Sequence, residues 1–136
     1  MDIKFRGKLI DKDKWVYGYI FHSKNDEWFI LDYVKGWERF LQVYSKSVGQ
    51  YTGLKDKNGK EIYEGDIVNC KARIDSANMV VIWEEGGFHL VLCEKYKNYL
   101  PLTGYYCIRN FEKEVIGNIY ENPELIKESE GEENEH

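Results

Sequence analysis

The chain has 136 residues, 43% of them hydrophobic and 15% aromatic, with a formal net charge of −5 at pH 7. That length fits one domain or two small ones and buries a core without staples. No run of about 18 apolar residues occurs, so no membrane-spanning helix is expected, and the opening MDIKFRGK has no apolar signal-peptide stretch.

Residues 124–136 hold six acids against one base and account for the whole net charge. Such an end is expected to be solvated and disordered, and it argues against broad binding to phosphate backbones. The cysteines, Cys70, Cys93 and Cys107, are odd in number, and no two stand at C-x-x-C spacing. A reducing cytoplasm with each thiol acting as a small buried hydrophobe is the natural reading.

In chain order, Ile3 to Ile10 reads as a strand with Ile3, Phe5 and Leu9 on one side. Asp11 to Lys14 is a polar reversal. Trp15 to Phe21 alternates with period two: Trp15, Tyr17, Tyr19 and Phe21 on one face, Val16, Gly18 and Ile20 on the other. His22 to Asp26 reads as a loop and Glu27 to Tyr33 as the next strand. Lys35-Gly36-Trp37 breaks the pattern, Phe40 to Tyr44 resumes it, and Val48 to Tyr51 is a short apolar segment.

The stretch Gly53–Ile67, GLKDKNGKEIYEGDI, contains two turn signals, Asn58-Gly59 and Gly65-Asp66, around a short apolar pair. Ile67 to Ile74 is then a strand, Asp75 to Asn78 a polar loop, and Met79 to Trp83 an apolar strand. Glu84-Glu85-Gly86-Gly87 is a hairpin turn, and Phe88 to Cys93 runs back. Tyr105 to Phe111 and Val115 to Tyr120 read as two more strands around Glu112-Lys113-Glu114. Asn122-Pro123-Glu124 is a helix start: a cap, a proline at the first position and an acid near the positive end of the dipole. Many short strands with tight turns predict an all-β fold: an N-terminal meander over 1–52, a connecting double turn over 53–66, and a small barrel over 67–126 that ends in a short helix. Residues 127–136 form the acidic tail.

Residues that carry chemistry are weighed against ordinary structural roles. Glu61, Glu64 and Asp66 could offer oxygens to a divalent cation, but turn chemistry explains them as well, with Asp66 capping its own backbone. His89, Cys93 and Cys107 lack the paired spacing of a zinc site; on a strand, His89 and Cys93 lie about 13 Å apart. His22 beside Ser23 is adjacent in sequence, which does not place the two side chains for proton transfer. No nucleophile elbow and no phosphate loop is present. No metal, cofactor or catalytic residue is therefore assigned.

The aromatic face Trp15, Tyr17 and Tyr19 is the best binding candidate, because such rings stack bases and line protein interfaces. Lys4, Arg6 and Lys8 lie just before it as a candidate basic site. The ordinary reading is that four large aromatics on one face pack the core.

Four segments resemble the YopX family of phage and prophage proteins: IKFRGK (Ile3–Lys8), QYTGLKDKNGKEIYEGDIV (Gln50–Val68), EEGGF (Glu84–Phe88) and EVIGNIYENPELI (Glu114–Ile126). The resemblance extends from Ile3 to about Ile126. It implies an all-β fold with a C-terminal part akin to an SH3-like barrel and a bacterial or phage cytoplasmic setting. It supplies no catalytic residues. The expectation is a non-enzymatic accessory protein that binds a protein partner or itself. A nucleic-acid-binding small barrel is the alternative.

Overall fold

The structure is a computed structural model and describes residues 3–101 and 103–126. Its regular structure is β-strand apart from three 3-10 turns among the described residues. The strands are β1 (Phe5–Lys8), β2 (Trp15–His22), β3 (Trp28–Val34), β4 (Trp37–Val43), β5 (Gly49–Lys55), β6 (Glu61–Tyr63), β7 (Asp66–Ala72), β8 (Asp75–Glu84), β9 (Gly87–Leu92), β10 (Tyr106–Cys107) and β11 (Glu112–Asn118). They form two sheets with the orders β4-β3-β2-β1-β5-β6 and β10-β9-β8-β7-β11. Strand β1 pairs antiparallel with β2 and β5, β3 with β2 and β4, β7 with β8 and β11, and β9 with β8 and β10, and the chain divides into two compact units at Leu54/Lys55.

In the first unit, β1 to β4 form a meander in which each strand pairs with the next. The meander also closes on itself at one end. Leu9, just past β1, bridges Val43 of β4. The Ile10 amide donates to the Gln42 carbonyl (3.2 Å), and the Tyr44 amide donates to that of Lys8 (2.9 Å). Closure needs close approach, and two glycines permit it. A Cβ on Gly7 would lie 2.8 Å from the Val43 side chain, and one on Gly18 would lie 2.2 Å from the Leu31 carbonyl oxygen. The enclosed side holds Leu9, Val16, Ile30 and Val43, with Phe5, Ile20, Trp28, Leu41 and Val48 packed against them.

This decides which face of β2 is the core. Val16 and Ile20 point in, while Tyr17, Tyr19 and Phe21 are exposed. Packing of the aromatic face in the core, the ordinary sequence reading, is thus overturned. A closed ring has an inside too small for a row of tyrosines, and the smaller aliphatic residues fill it.

In the second unit, Ile67, Val80, Ile82, Val91, Cys93 and Ile126 form a buried cluster, flanked by Tyr96, Tyr99 and Tyr105. The turn between β8 and β9 is as expected, with Glu85 at φ 52° and Gly86 at φ 76°. Three expectations are corrected. Asp75 to Asn78 is strand and not loop: Asn69 Nδ2 donates to Asn78 Oδ1 across the ladder (2.9 Å), so polar residues are satisfied within the sheet. Glu112-Lys113-Glu114 likewise lies inside β11. The helix expected after Asn122 is a single 3-10 turn, Pro123–Ile126. Asn122 Oδ1 accepts the Asn118 amide (3.1 Å) over Gly117. The order of the second sheet is linear, with β10 and β11 at its ends. The acidic tail lies outside the described residues.

Gly18→Ala should destabilise the protein by about 1–3 kcal/mol, because backbone and not a flexible side chain blocks the added methyl. Urea unfolding measures this, and an unchanged midpoint would refute the close-approach argument. Gly65 sits at φ 92°, so Gly65→Val should lose a comparable amount, about 1–3 kcal/mol, to backbone strain. A melting temperature equal to that of the parent would count against it.

Candidate functional site

The outer face of the first unit carries a row of exposed aromatic residues. Cross-strand register builds it. Phe21 stands opposite Phe29, Tyr19 opposite Leu31, Leu31 opposite Phe40, and Tyr33 opposite Glu38. Period two places all of these, with Tyr17, on one side of the sheet. Phe21, Phe29 and Phe40 form a ring cluster with centroids 5.7–6.4 Å apart, two of the three contacts being edge-to-face. Exposure is 46% for Tyr17, 56% for Tyr19, 47% for Phe21, 58% for Tyr33 and 54% for Phe40. At about 200 Å² per ring, five half-exposed rings leave roughly 500 Å² of aromatic surface, the upper range for a soluble monomer.

The sequence-predicted residues fall into two groups. Tyr17 and Tyr19 belong to this face and are exposed. Trp15 is half-buried under cations: the Arg6 guanidinium lies 4.8 Å, and the Lys8 ammonium 5.6 Å, from its ring centroid. Arg6 and Lys8 are themselves buried, Lys8 pairs with Asp13, and Lys4 lies 5.3 Å from the Tyr51 ring. The candidate basic residues are therefore engaged with aromatic neighbours. Sequence reading missed Phe29, Leu31, Tyr33 and Phe40. The signal was there in part: Trp28-Phe29-Ile30-Leu31 is apolar on both sides of a strand, which marks a second apolar face beside the core face without saying which is enclosed.

The remaining candidates resolve into structural roles. His22 Nε2 is 2.6 Å from Asp26 Oδ1, and its ring stacks on Trp28 at 3.9 Å. Ser23 Oγ accepts the Asn25 and Glu27 amides, which ties it to the loop and not to His22. His89 stacks on Tyr105 and hydrogen bonds to the Glu84 carbonyl oxygen (3.0 Å), while Cys93 is buried in the core. Burial pushes the Cys93 thiol up to about 11, as it does that of Cys70. The Tyr99 hydroxyl donates to Glu84 (3.1 Å), and burial and then this bond raise its pKa to about 12. A cleft of about 90 Å³ is lined by Lys57, Asn69, Lys71, Glu112, Lys113 and Glu114, and its charges are mixed, with Lys57 and Glu114 3.6 Å apart. Among the described residues no three His, Cys, Asp or Glu side chains gather as metal ligands.

The double-turn stretch is organised by two carboxylates. Asp66 Oδ2 accepts the Tyr63 amide (2.7 Å), the self-capping expected of it. Asp56 does more. Its Oδ1 accepts the amides of Asn58 and Lys60, and its Oδ2 that of Val115 in β11, each at 2.9 Å. Burial by itself raises the pKa of Asp56, but these three amides and the nearby Lys60 outweigh it and hold the carboxyl below its usual range.

The arrangement defines an all-β protein of two units whose first unit carries an exposed aromatic face. A family model, YopX protein, matches residues 4–127, and the chain belongs to the YopX family. Two solved structures share the fold. Protein EF1440 from Enterococcus faecalis is 24% identical with a TM-score of 0.55, covering 93% of this chain and 99% of that one. Protein yopX from Bacillus subtilis is 21% identical with a TM-score of 0.54, covering 93% and 98%. No curated protein matches the chain.

Asp56→Asn should cost about 1–3 kcal/mol at neutral pH, since a buried acceptor of three amides is exchanged for a weaker one. The folded-state pKa is depressed, so this contribution is fully present above the unfolded carboxylate value and is lost as pH falls through the folded one. The difference from wild type in urea unfolding should therefore shrink on acidification below that range. A gap that stays constant down to strongly acidic pH would show that the charge on Asp56 is not the source.

Proposed function

We propose that the protein is a non-enzymatic accessory module that works by protein–protein contact through the outer aromatic face of its N-terminal unit. One observation carries this reading: roughly 500 Å² of aromatic surface stands in water although the same strands carry the core residues Val16, Ile30 and Val43 on their other side. Tyrosine and phenylalanine are enriched where proteins meet and rarely clustered in water otherwise. Phe21 and Phe40 are the centre of this argument, because a phenylalanine, unlike a tyrosine, has no polar tip to hydrate.

The setting goes with the family: a bacterial cytoplasm, in a phage or prophage context. The thiols agree with a reducing compartment, since Cys70, Cys93 and Cys107 are all free. Nucleic acid is the weaker reading. Stacking platforms for single strands combine rings with available cations, whereas Arg6 and Lys8 are buried, with their charged ends over Trp15.

The test is affinity capture from the natural host with wild-type protein and with Tyr19→Ser/Phe40→Ser. The expected result is a partner retained by the first and lost by the second, with equal melting temperatures for the two baits. Identical captured sets would remove the aromatic face as the working surface.

A further inference from the structure

We infer that the occupant of this face is a second copy of the chain, the two aromatic faces packing on each other about a two-fold axis. The inference rests on the proposed binding face and names its partner.

Area is the first argument. A stable interface buries about 800 Å² on each side. The five half-exposed rings supply most of that, and Phe29 and Leu31, half-buried between them, fill the centre.

Charge is the second. A face that meets its own copy must avoid placing like charges together. On β2, β3 and β4 this side carries the exposed rings with Trp15, Phe29, Leu31 and Gln42, and Glu38 is the one charge on this side of these strands. Arg6 and Lys8 of β1 stand opposite Tyr17 and Trp15 on the same side but are buried, and Glu27, just before β3, accepts from Gln42 at the edge. Glu38 sits at one end, opposite Tyr33 and next to the turn, and not in the middle. A partner read by charge, whether a nucleic acid, an acidic lipid surface or a basic peptide, would require a complementary charged centre that is absent. A neutral aromatic centre complements itself. The Phe21–Phe29–Phe40 cluster provides edges and faces of rings to interdigitate with the same cluster.

The test is sedimentation equilibrium and light scattering of the purified full chain over a wide concentration range, with three variants. Wild type should reach twice the chain mass. Phe40→Glu and Tyr19→Glu each sit at exposed strand positions away from the core, so both should fold. Each substitution enters the symmetric contact twice, and the association constant should fall by roughly 100-fold or more. Ile74→Glu changes an even more exposed apolar residue in the second unit and should leave the dimer intact. Far-UV circular dichroism checks that each variant is folded. Wild type at a single chain mass up to millimolar concentration would overturn the inference. So would a dimer that survives both Phe40→Glu and Tyr19→Glu, or one lost on Ile74→Glu. Failure here is separable from failure of the binding-face reading: a strict monomer that still captures a partner in a Tyr19- and Phe40-dependent way binds a different protein.

Discussion

The close approach of β1 and β4 is the constraint on which the N-terminal unit depends. Gly7 lies against Val43 so tightly that a single added carbon has no room, and the backbone beyond it joins Lys8 and Ile10 to Tyr44 and Gln42. A four-stranded meander that closes this way has one narrow inside. Leucine, valine and isoleucine fill it, and every aromatic side chain on the alternate positions of β2 to β4 is turned outward. The exposed rings follow from the closure and are not an independent feature of the sequence. The same geometry explains why Arg6 and Lys8 are buried: they lie on the strand beside Trp15, and their charged ends lie over its ring.

The second unit solves a different problem. Its sheet is tied at the Asn58-Gly59 turn by Asp56, which takes three backbone amides, one of them from β11, some sixty residues away in sequence. A buried carboxylate is costly when unpaired and strongly stabilising when its oxygens are filled. Here the filling groups are fixed backbone dipoles, so the turn is locked to the last strand. Glycine at position 65 and the Asp66–Tyr63 bond then set the direction in which β7 leaves. Of the lysines around this loop, which could suggest a phosphate cradle, Lys57 pairs with Glu114, and Lys113 Nζ donates to the carbonyls of Asn110 and Phe111.

Much of this was legible beforehand. Period-two alternation located β2 and β3, and the glycine-rich pairs located the turns at Gly59, Gly65 and Gly86, because few residues accept those backbone angles. Local signals failed where a distant partner decided the outcome. Asp75 to Asn78 looks like a loop until Asn69 is placed opposite Asn78. Asn122 looks like a helix cap until Asn118 and Gly117 take its side chain. The described residues after Asn122 form a 3-10 turn, Pro123–Ile126, whose Ile126 joins the buried cluster.

The sequence by itself determined most of the strands and turns, the family and the presence of an aromatic face, because alternation and turn chemistry are local. Which side of that face meets water was decided only by the tertiary structure. Alternation says that two faces differ but not which one is enclosed; that choice is made when Leu9 meets Val43 and the ring closes on the smaller side chains.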